Sequence, residues 1–169
     1  DLSETIGNCI TVTGLCSLFL ALISPLIIRP MLGMLNTPDS IIDWCDSYLL
    51  ISMIGSAGMA YYNILSGVLR GMGDSFSALL YLLVATVLNI ILDIVFVAGL
   101  GMEVPGVALA TVIAQAVSAF LCLRKLTKMQ GIFELSKEHL IPKERYVKQI
   151  VSLGLPSGIT QAIFSSAMI

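Results

Sequence analysis

The sequence predicts an all-α, polytopic membrane protein, a bundle of helices that are long enough to cross a lipid bilayer. Three observations predict this class. Hydrophobic residues make up 57% of the 169-residue chain. Charged residues make up only 12% of it, against about 25% in an ordinary soluble domain. The charges are also separated by apolar stretches of roughly twenty residues, the length that a hydrocarbon core of about 30 Å requires of a helix.

The positions of the charges define four complete spans and the beginning of a fifth. We place the spans near 6–28, 47–69, 76–99 and 104–123, and expect the fifth to begin near residue 150. The third span alone contains an acid, Asp93. Because the chain lacks an initiator Met and stops within an apolar run, we interpret it as an internal part of a longer protein.

The basic residues predict which side of the membrane each connection faces. Of the nine lysines and arginines, all except Arg29 lie in two connections, 70–75 and 124–148. The positive-inside rule therefore predicts that these two connections are cytoplasmic. The loop over 29–46 and the turn at 99–106 then face outward, and the protein is expected in the plasma (inner) membrane.

The composition argues against several other classes of protein. No basic patch typical of nucleic-acid binding occurs, so we expect no nucleic-acid partner. The four cysteines lack the spacing of metal ligands and lie in or beside apolar runs, which favours simple packing roles. We therefore expect no structural metal and a lipid bilayer as the main partner of the chain.

Asp93 is the intramembrane residue that most strongly indicates a function. A carboxylate within a span costs roughly 2.5–3.5 kcal/mol on insertion scales, so it is seldom present without a role. Asn89 lies one helical turn earlier on the same face. Counted by helical rise, Asp93 and Thr111 lie about 9 Å and about 10 Å below the same boundary, on adjacent antiparallel helices.

These three polar side chains have two interpretations. A carboxylate, an amide oxygen and a hydroxyl together suit a hard cation or a proton, and Gln115, one turn beyond Thr111, is a possible accessory ligand. Alternatively, the cluster only fastens two helices together by hydrogen bonds. Spacing alone leaves both interpretations open.

Other residues predict local structure. Small residues recur every fourth position at Gly106, Ala110, Ala114 and Ser118, which predicts the close approach of another helix. Pro25 and Pro156 are predicted to break or kink their helices. Either Asp74 or Ser75 is expected to cap the helix that follows the turn at 71–75.

Several motifs resemble, in order and spacing, those of the multidrug and toxic compound extrusion (MATE) transporters. They are LRGMGDS at 69–75, NIILD at 89–93, VPGVALAT at 104–111 and GLPSG at 154–158. The resemblance implies twelve helices in two six-helix lobes. Residues 1–125 would then belong to the N-terminal lobe, 126–148 to a cytoplasmic linker, and 149–169 to a truncated helix seven. Helices 1, 2 and 8 to 12 would complete the protein.

The resemblance also implies a site. Family members with a cation site in the first lobe combine an Asp of helix one with an Asn-x3-Asp of helix five and a Thr of helix six. Asn89, Asp93 and Thr111 match the last three of these residues. One branch of the family carries a Glu on helix seven, whereas no acid follows Glu144 here, which is similar to the DinF-like branch.

The implied activity is secondary antiport, not enzymatic catalysis. Such a protein exports small organic, often cationic compounds in exchange for H+ or Na+, and needs no cofactor beyond the coupling ion. A lipid-linked oligosaccharide flippase of the same broad superfamily is an alternative, although we would expect it to carry more basic residues within the spans. A non-transporting membrane scaffold is a second alternative, but it would leave Asp93 without a role.

Overall fold

The computed structural model describes the backbone of residues 2–129 and 141–167, and almost all of it is helical. The elements are α1 (Leu2–Met34), α2 (Ile42–Gly71), α3 (Ser75–Asp93), a π-helical segment (Ile94–Gly99), α4 (Glu103–Lys128) and α5 (Glu144–Ala167). Within residues 2–129 and 141–167, four stretches are long and apolar enough to cross a membrane: Ser3–Met34, Ile42–Gly71, Ser75–Gly99 and Glu103–Lys128. The predicted all-α membrane fold is confirmed.

The helices extend further than the spans predicted from charge positions. α1 continues to Met34, although its span was placed only as far as residue 28, and α5 begins at Glu144 and not near 150. Helices continue past the hydrocarbon core because their charged side chains reach water at the interface. Arg29 does so within α1, where its Nε lies 3.4 Å from an Asp46 carboxylate oxygen. Residues 130–140 of the predicted linker lie outside the described residues.

The chain divides into two compact units. The larger unit is Thr13–Gln130, and the smaller one combines Asp1–Val12 with Gly131–Ile169. In the larger unit α4 packs against both α2 and α3. It therefore forms the centre of that unit and supplies many of its buried residues.

The predicted stripe of small residues on α4 faces α3 and the π-helical segment. Gly106, Ala110, Ala114 and Ser118 are all buried. The Ser118 hydroxyl donates to the backbone carbonyl of Tyr81 at 2.9 Å, and a Cβ added to Gly106 would lie 3.2 Å from Phe96 Cβ. The close approach predicted from the stripe is confirmed, and its partner is the preceding helix.

A second close contact joins α4 to α2. A Cβ added to Gly58 would lie 3.2 Å from the backbone nitrogen of Ala116, and one added to Gly55 would overlap the Val112 side chain. Glycine thus lets the two backbones approach closely, as membrane helices commonly do because van der Waals packing drives their association. The sequence analysis did not single out this pair of glycines.

The two prolines do not interrupt their helices, so the predicted breaks are absent. α1 runs through Pro25 and Pro30, and α5 runs through Pro156. Proline removes one backbone N–H, but membrane helices tolerate this loss where neighbouring groups satisfy the freed carbonyl. The helices are therefore unbroken at both positions in the described chain, and the predicted kinks stay a prediction.

Asp74 caps α3, as the sequence predicted. Its carboxylate accepts from the backbone N–H of Ser77 at 3.0 Å and from the Ser77 hydroxyl at 2.8 Å. The ammonium of Lys125, near the end of α4, lies 3.3 Å from the same carboxylate. The two Ser77 hydrogen bonds, and then Lys125, lower the pKa of Asp74 below its ordinary value. The preceding Gly73 has a φ of 89°, which favours glycine.

Candidate functional site

The structure brings two of the predicted site residues into direct contact. Asn89 Nδ2 on α3 donates to Thr111 Oγ1 on α4 over 3.3 Å. The Thr111 hydroxyl in turn donates to the carbonyl of Val107, one turn earlier, at 3.0 Å. The Asn89 bond uses an amide N–H, so the Oδ1 atom of Asn89 retains its capacity to accept a proton donor or to bind a cation.

Asp93 and Gln115 each carry a buried oxygen that has no hydrogen-bond partner among the described residues. These atoms are Asp93 Oδ1, at the end of α3, and Gln115 Oε1, on α4. A buried acceptor without a partner costs about 1–3 kcal/mol, and more if it is charged. A buried oxygen of this kind is stabilised when it binds a cation or, in the case of the carboxylate, a proton.

The backbone changes its helical form immediately after Asp93. Residues Ile94–Gly99 form a π-helical turn, in which the Leu100 N–H donates to the carbonyl of Val95 at 3.0 Å. The Met102 N–H then donates to the carbonyl of Phe96 at 2.9 Å. π-Helical turns are rare and frequently occur at functional sites. The sequence of this segment is continuously apolar and does not predict the change from α-helix to π-helix.

A cavity of about 220 Å³ lies between α2 and α4 beside the site. Thr111 and Gln115 line it from α4, while Ser52 and Ser56 line it from α2. The cavity has room and polar partners for ordered water, which needs two to four hydrogen bonds. Thr111 and Gln115 thus share this cavity with two hydroxyl groups of α2.

Sequence reasoning missed Ser52 and Ser56. Both lie in an apolar span with a spacing of four residues, which places them on one face of α2. That spacing was the available signal. Isolated serines are common in membrane helices, however, so they did not stand out without knowledge of the neighbouring helix.

The sequence is similar to those of several known proteins. The family model MatE matches residues 1–95. The probable multidrug resistance protein YpnP of Bacillus subtilis is 32% identical over 145 residues, covering 82% of this chain and 31% of the relative. The probable multidrug resistance protein NorM of Thermotoga maritima is 30% identical over 126 residues, covering 72% of this chain and 27% of the relative. The chain thus spans about a third of the length of these curated relatives.

Solved structures agree on the fold. A crystal structure of MATE in the bent conformation superposes with a TM-score of 0.83 and 21% sequence identity. The match covers 99% of this chain and 43% of the solved chain. At this level of identity the similarity concerns the arrangement of the helices.

Proposed function

The chain belongs to the MatE family of multidrug efflux transporters, and on that premise we propose that it is part of a secondary antiporter. Members of this family are transporters and not enzymes. The proposed antiporter exports small organic, often cationic compounds in exchange for H+ or Na+. The chain supplies one portion of it, which lies in the bilayer and packs against the remainder of the longer protein.

Asp93 binds the coupling ion in this proposal, with Asn89 and Thr111 as neutral ligands and Gln115 as an accessory. The observation that carries the proposal is the buried Asp93 Oδ1, which has no hydrogen-bond partner in the part of the chain that the structure describes. Asp93 lies one turn after Asn89, which donates to Thr111 on α4. A carboxylate with neutral oxygen ligands is a suitable site for Na+. Alternatively, the same carboxylate can bind a proton, which removes its charge. Either ion neutralises the charge that is costly inside the membrane.

Ion binding can drive transport only if it favours one conformation over another. The site joins α3 to α4, and the π-helical turn follows directly after its carboxylate. Neutralising Asp93 removes the cost of burying a charge and so favours the more closely packed arrangement of these helices. Alternating access by movement of one lobe against the other then follows.

The basic connections at 70–75 and 124–148 face the cytoplasm in this proposal, and the protein lies in the plasma membrane. The positive-inside bias supports this orientation. The contact between Asp74 and Lys125 supports it further, because it places both connections at one end of the helices.

The test is gradient-driven efflux by the full-length protein reconstituted in lipid vesicles, with the variant Asp93→Asn. The amide keeps the size of the side chain and removes its titratable charge. We expect the variant to fold and insert but to lose efflux driven by a H+ or Na+ gradient. Asp39→Asn is the matched control, because Asp39 is exposed in the α1–α2 loop. Normal gradient-driven efflux by Asp93→Asn would refute the coupling role.

A further inference from the structure

A cluster of polar contacts joins the first turns of α1 to the beginning of α5 within the smaller unit. The Tyr146 hydroxyl donates to Glu4 Oε2 at 2.6 Å, and the Lys143 ammonium pairs with Glu4 Oε1. The backbone N–H of Lys143 donates to Asn8 Oδ1 at 2.7 Å. Asn8 Nδ2 completes the cluster by donating to the carbonyl of Glu4 at 2.8 Å.

These contacts supply the cap that the sequence of α5 does not provide for itself. The carbonyl of Lys143 accepts from the backbone N–H groups of Tyr146 and Val147, so Lys143 stands at the N-cap position. A lysine side chain cannot accept hydrogen bonds and therefore cannot cap the helix. Asn8 of α1 instead accepts from the backbone N–H of Lys143, one of the N-terminal N–H groups that α5 leaves without a partner within the helix. The Glu4 carboxylate binds the Lys143 and Tyr146 side chains, near the end of α5 where the helix dipole favours negative charge.

The members of the cluster differ in how far they are exposed to solvent. Asn8 has no exposed surface, whereas the side chains of Glu4 and Lys143 are 19% and 49% exposed. The hydrogen bond that Tyr146 makes to Glu4 raises the pKa of the tyrosine, as expected when a carboxylate holds the phenol proton. Because the Glu4 and Lys143 side chains are partly exposed, they can bind water when the contacts separate. Breaking these hydrogen bonds therefore costs little free energy and is reversible.

We infer that Glu4, Asn8, Lys143 and Tyr146 form a latch that is closed in one transport conformation and open in the other. The inference rests on the proposed antiport, in which α1 belongs to the first lobe and α5 begins the second. Movement of one lobe against the other changes the separation between the starts of these two helices. The cluster is polar, and the Glu4 and Lys143 side chains are partly exposed, so its contacts can open and close by exchanging protein hydrogen bonds for bonds to water.

Reversible cross-linking of the full-length protein tests the latch. Glu4→Cys and Lys143→Cys are introduced into a background without other cysteines and oxidised to a disulfide in vesicles. We expect oxidation to lower gradient-driven efflux by about tenfold or more, and reduction with dithiothreitol to restore it, since a fixed latch removes one of the two conformations. Unchanged efflux after complete cross-linking would show that the contacts are a static fastening and would overturn the latch.

Charge reversal provides a second, independent measurement. Glu4→Lys and Lys143→Glu are each expected to lower the efflux rate by about threefold, as for the loss of a partly exposed ion pair, and the double reversal to recover part of it. Asp46→Asn, which breaks an exposed ion pair in the larger unit, is the matched control and should leave efflux unchanged. Additive losses in the double reversal would overturn the pairing.

These experiments separate the latch from the proposed antiport. If the unmodified protein shows no gradient-driven efflux, the antiport proposal fails, and the latch that rests on it fails with it. If the unmodified protein transports and Asp93→Asn does not, while cross-linking has no effect, only the latch is refuted.

Discussion

The carboxylate of Asp74 and the ammonium of Lys125 lie 3.3 Å apart, which joins the α2–α3 turn to the last turn of α4. The same carboxylate caps α3 through Ser77. One side chain therefore fixes the start of one membrane helix and the end of another. It also places the two connections that carry most of the basic residues at the same end of the bundle.

The first prediction concerns the pH dependence of this capping site. The Ser77 hydrogen bonds and Lys125 lower the pKa of Asp74 from its ordinary value of 3.8, so the carboxylate stabilises the fold above that value. This stability is lost as the pH falls through the lowered pKa of the folded state. We expect Asp74→Asn to unfold more readily than the wild type near neutral pH, with the difference shrinking as the pH falls below about 4. Thermal unfolding in detergent across this pH range measures the effect, and a difference independent of pH would contradict it.

The second prediction concerns orientation. A cysteine introduced at Lys128, at the end of α4, should react with a membrane-impermeant maleimide only from the cytoplasmic side. One introduced at Ser40, in the α1–α2 loop, should react only from outside. Both positions are exposed, so accessibility to the reagent depends on the side of the membrane. The opposite labelling pattern would reverse the proposed topology.

The third prediction tests the contact between α2 and α4. Gly55→Ala places a methyl group against Val112, and overpacking of this kind costs about 1–3 kcal/mol. Gly33→Ala is the control, since no neighbouring atom lies within 4 Å of its added Cβ. The thermal midpoint should fall for Gly55→Ala and recover in part when Val112 is also changed to Ala. Equal midpoints for the two single variants would show that the helices lie further apart.

The fourth prediction tests the stripe on α4. Ala110 is fully buried, so Ala110→Leu should force α3 away and lower the yield of folded protein. Val107→Leu, at an exposed position on the same helix, should leave the yield unchanged. Size-exclusion chromatography after solubilisation compares the two. A monodisperse Ala110→Leu protein at wild-type yield would mean that the stripe accommodates larger side chains.

The fifth prediction concerns the neutral ligand of the candidate site. Thr111→Ala removes the hydroxyl that accepts from Asn89, while Thr111→Ser keeps it. We expect Thr111→Ala to weaken gradient-driven efflux less than Asp93→Asn does, because a neutral ligand contributes less to cation binding than a carboxylate. The serine variant should transport nearly normally. Loss of efflux in both variants would indicate that the methyl group, and not the hydroxyl, matters.

The features that could be predicted from the sequence are those that depend on local periodicity. The four spans followed from charge spacing, and counting helical rise from a shared boundary placed Thr111 opposite the Asn89–Asp93 turn. The Asn89–Thr111 hydrogen bond agrees with that count. The coupling role of these residues stays a prediction.

The features that sequence reasoning missed depend on residues far apart in the chain or on subtle backbone geometry. Asn8 contacts Lys143 across 135 positions, and no local pattern predicts such a partner. The role of Gly55 in helix packing becomes evident only when the structure shows Val112 of α4 facing it. The full lengths of the helices could not be predicted from charge positions, because charged residues such as Arg29 lie within α1 while their head groups reach water.

The π-helical turn after Asp93 alters the angular phase of the side chains that follow it. A π turn holds more residues than an α turn, so residues beyond 94 are rotated relative to a continuous α-helix that contains Asp93. In this rotated position, the Cβ of Phe96 lies 3.2 Å from the Cβ that would be added to Gly106. Deleting one residue from 94–99 would return the segment to α-helical pitch and swing Phe96 away, while leaving Asp93 in place. The side chains of the Asn89–Asp93 turn and those of the π-helical segment after it therefore follow two different angular registers along one continuous stretch of helix.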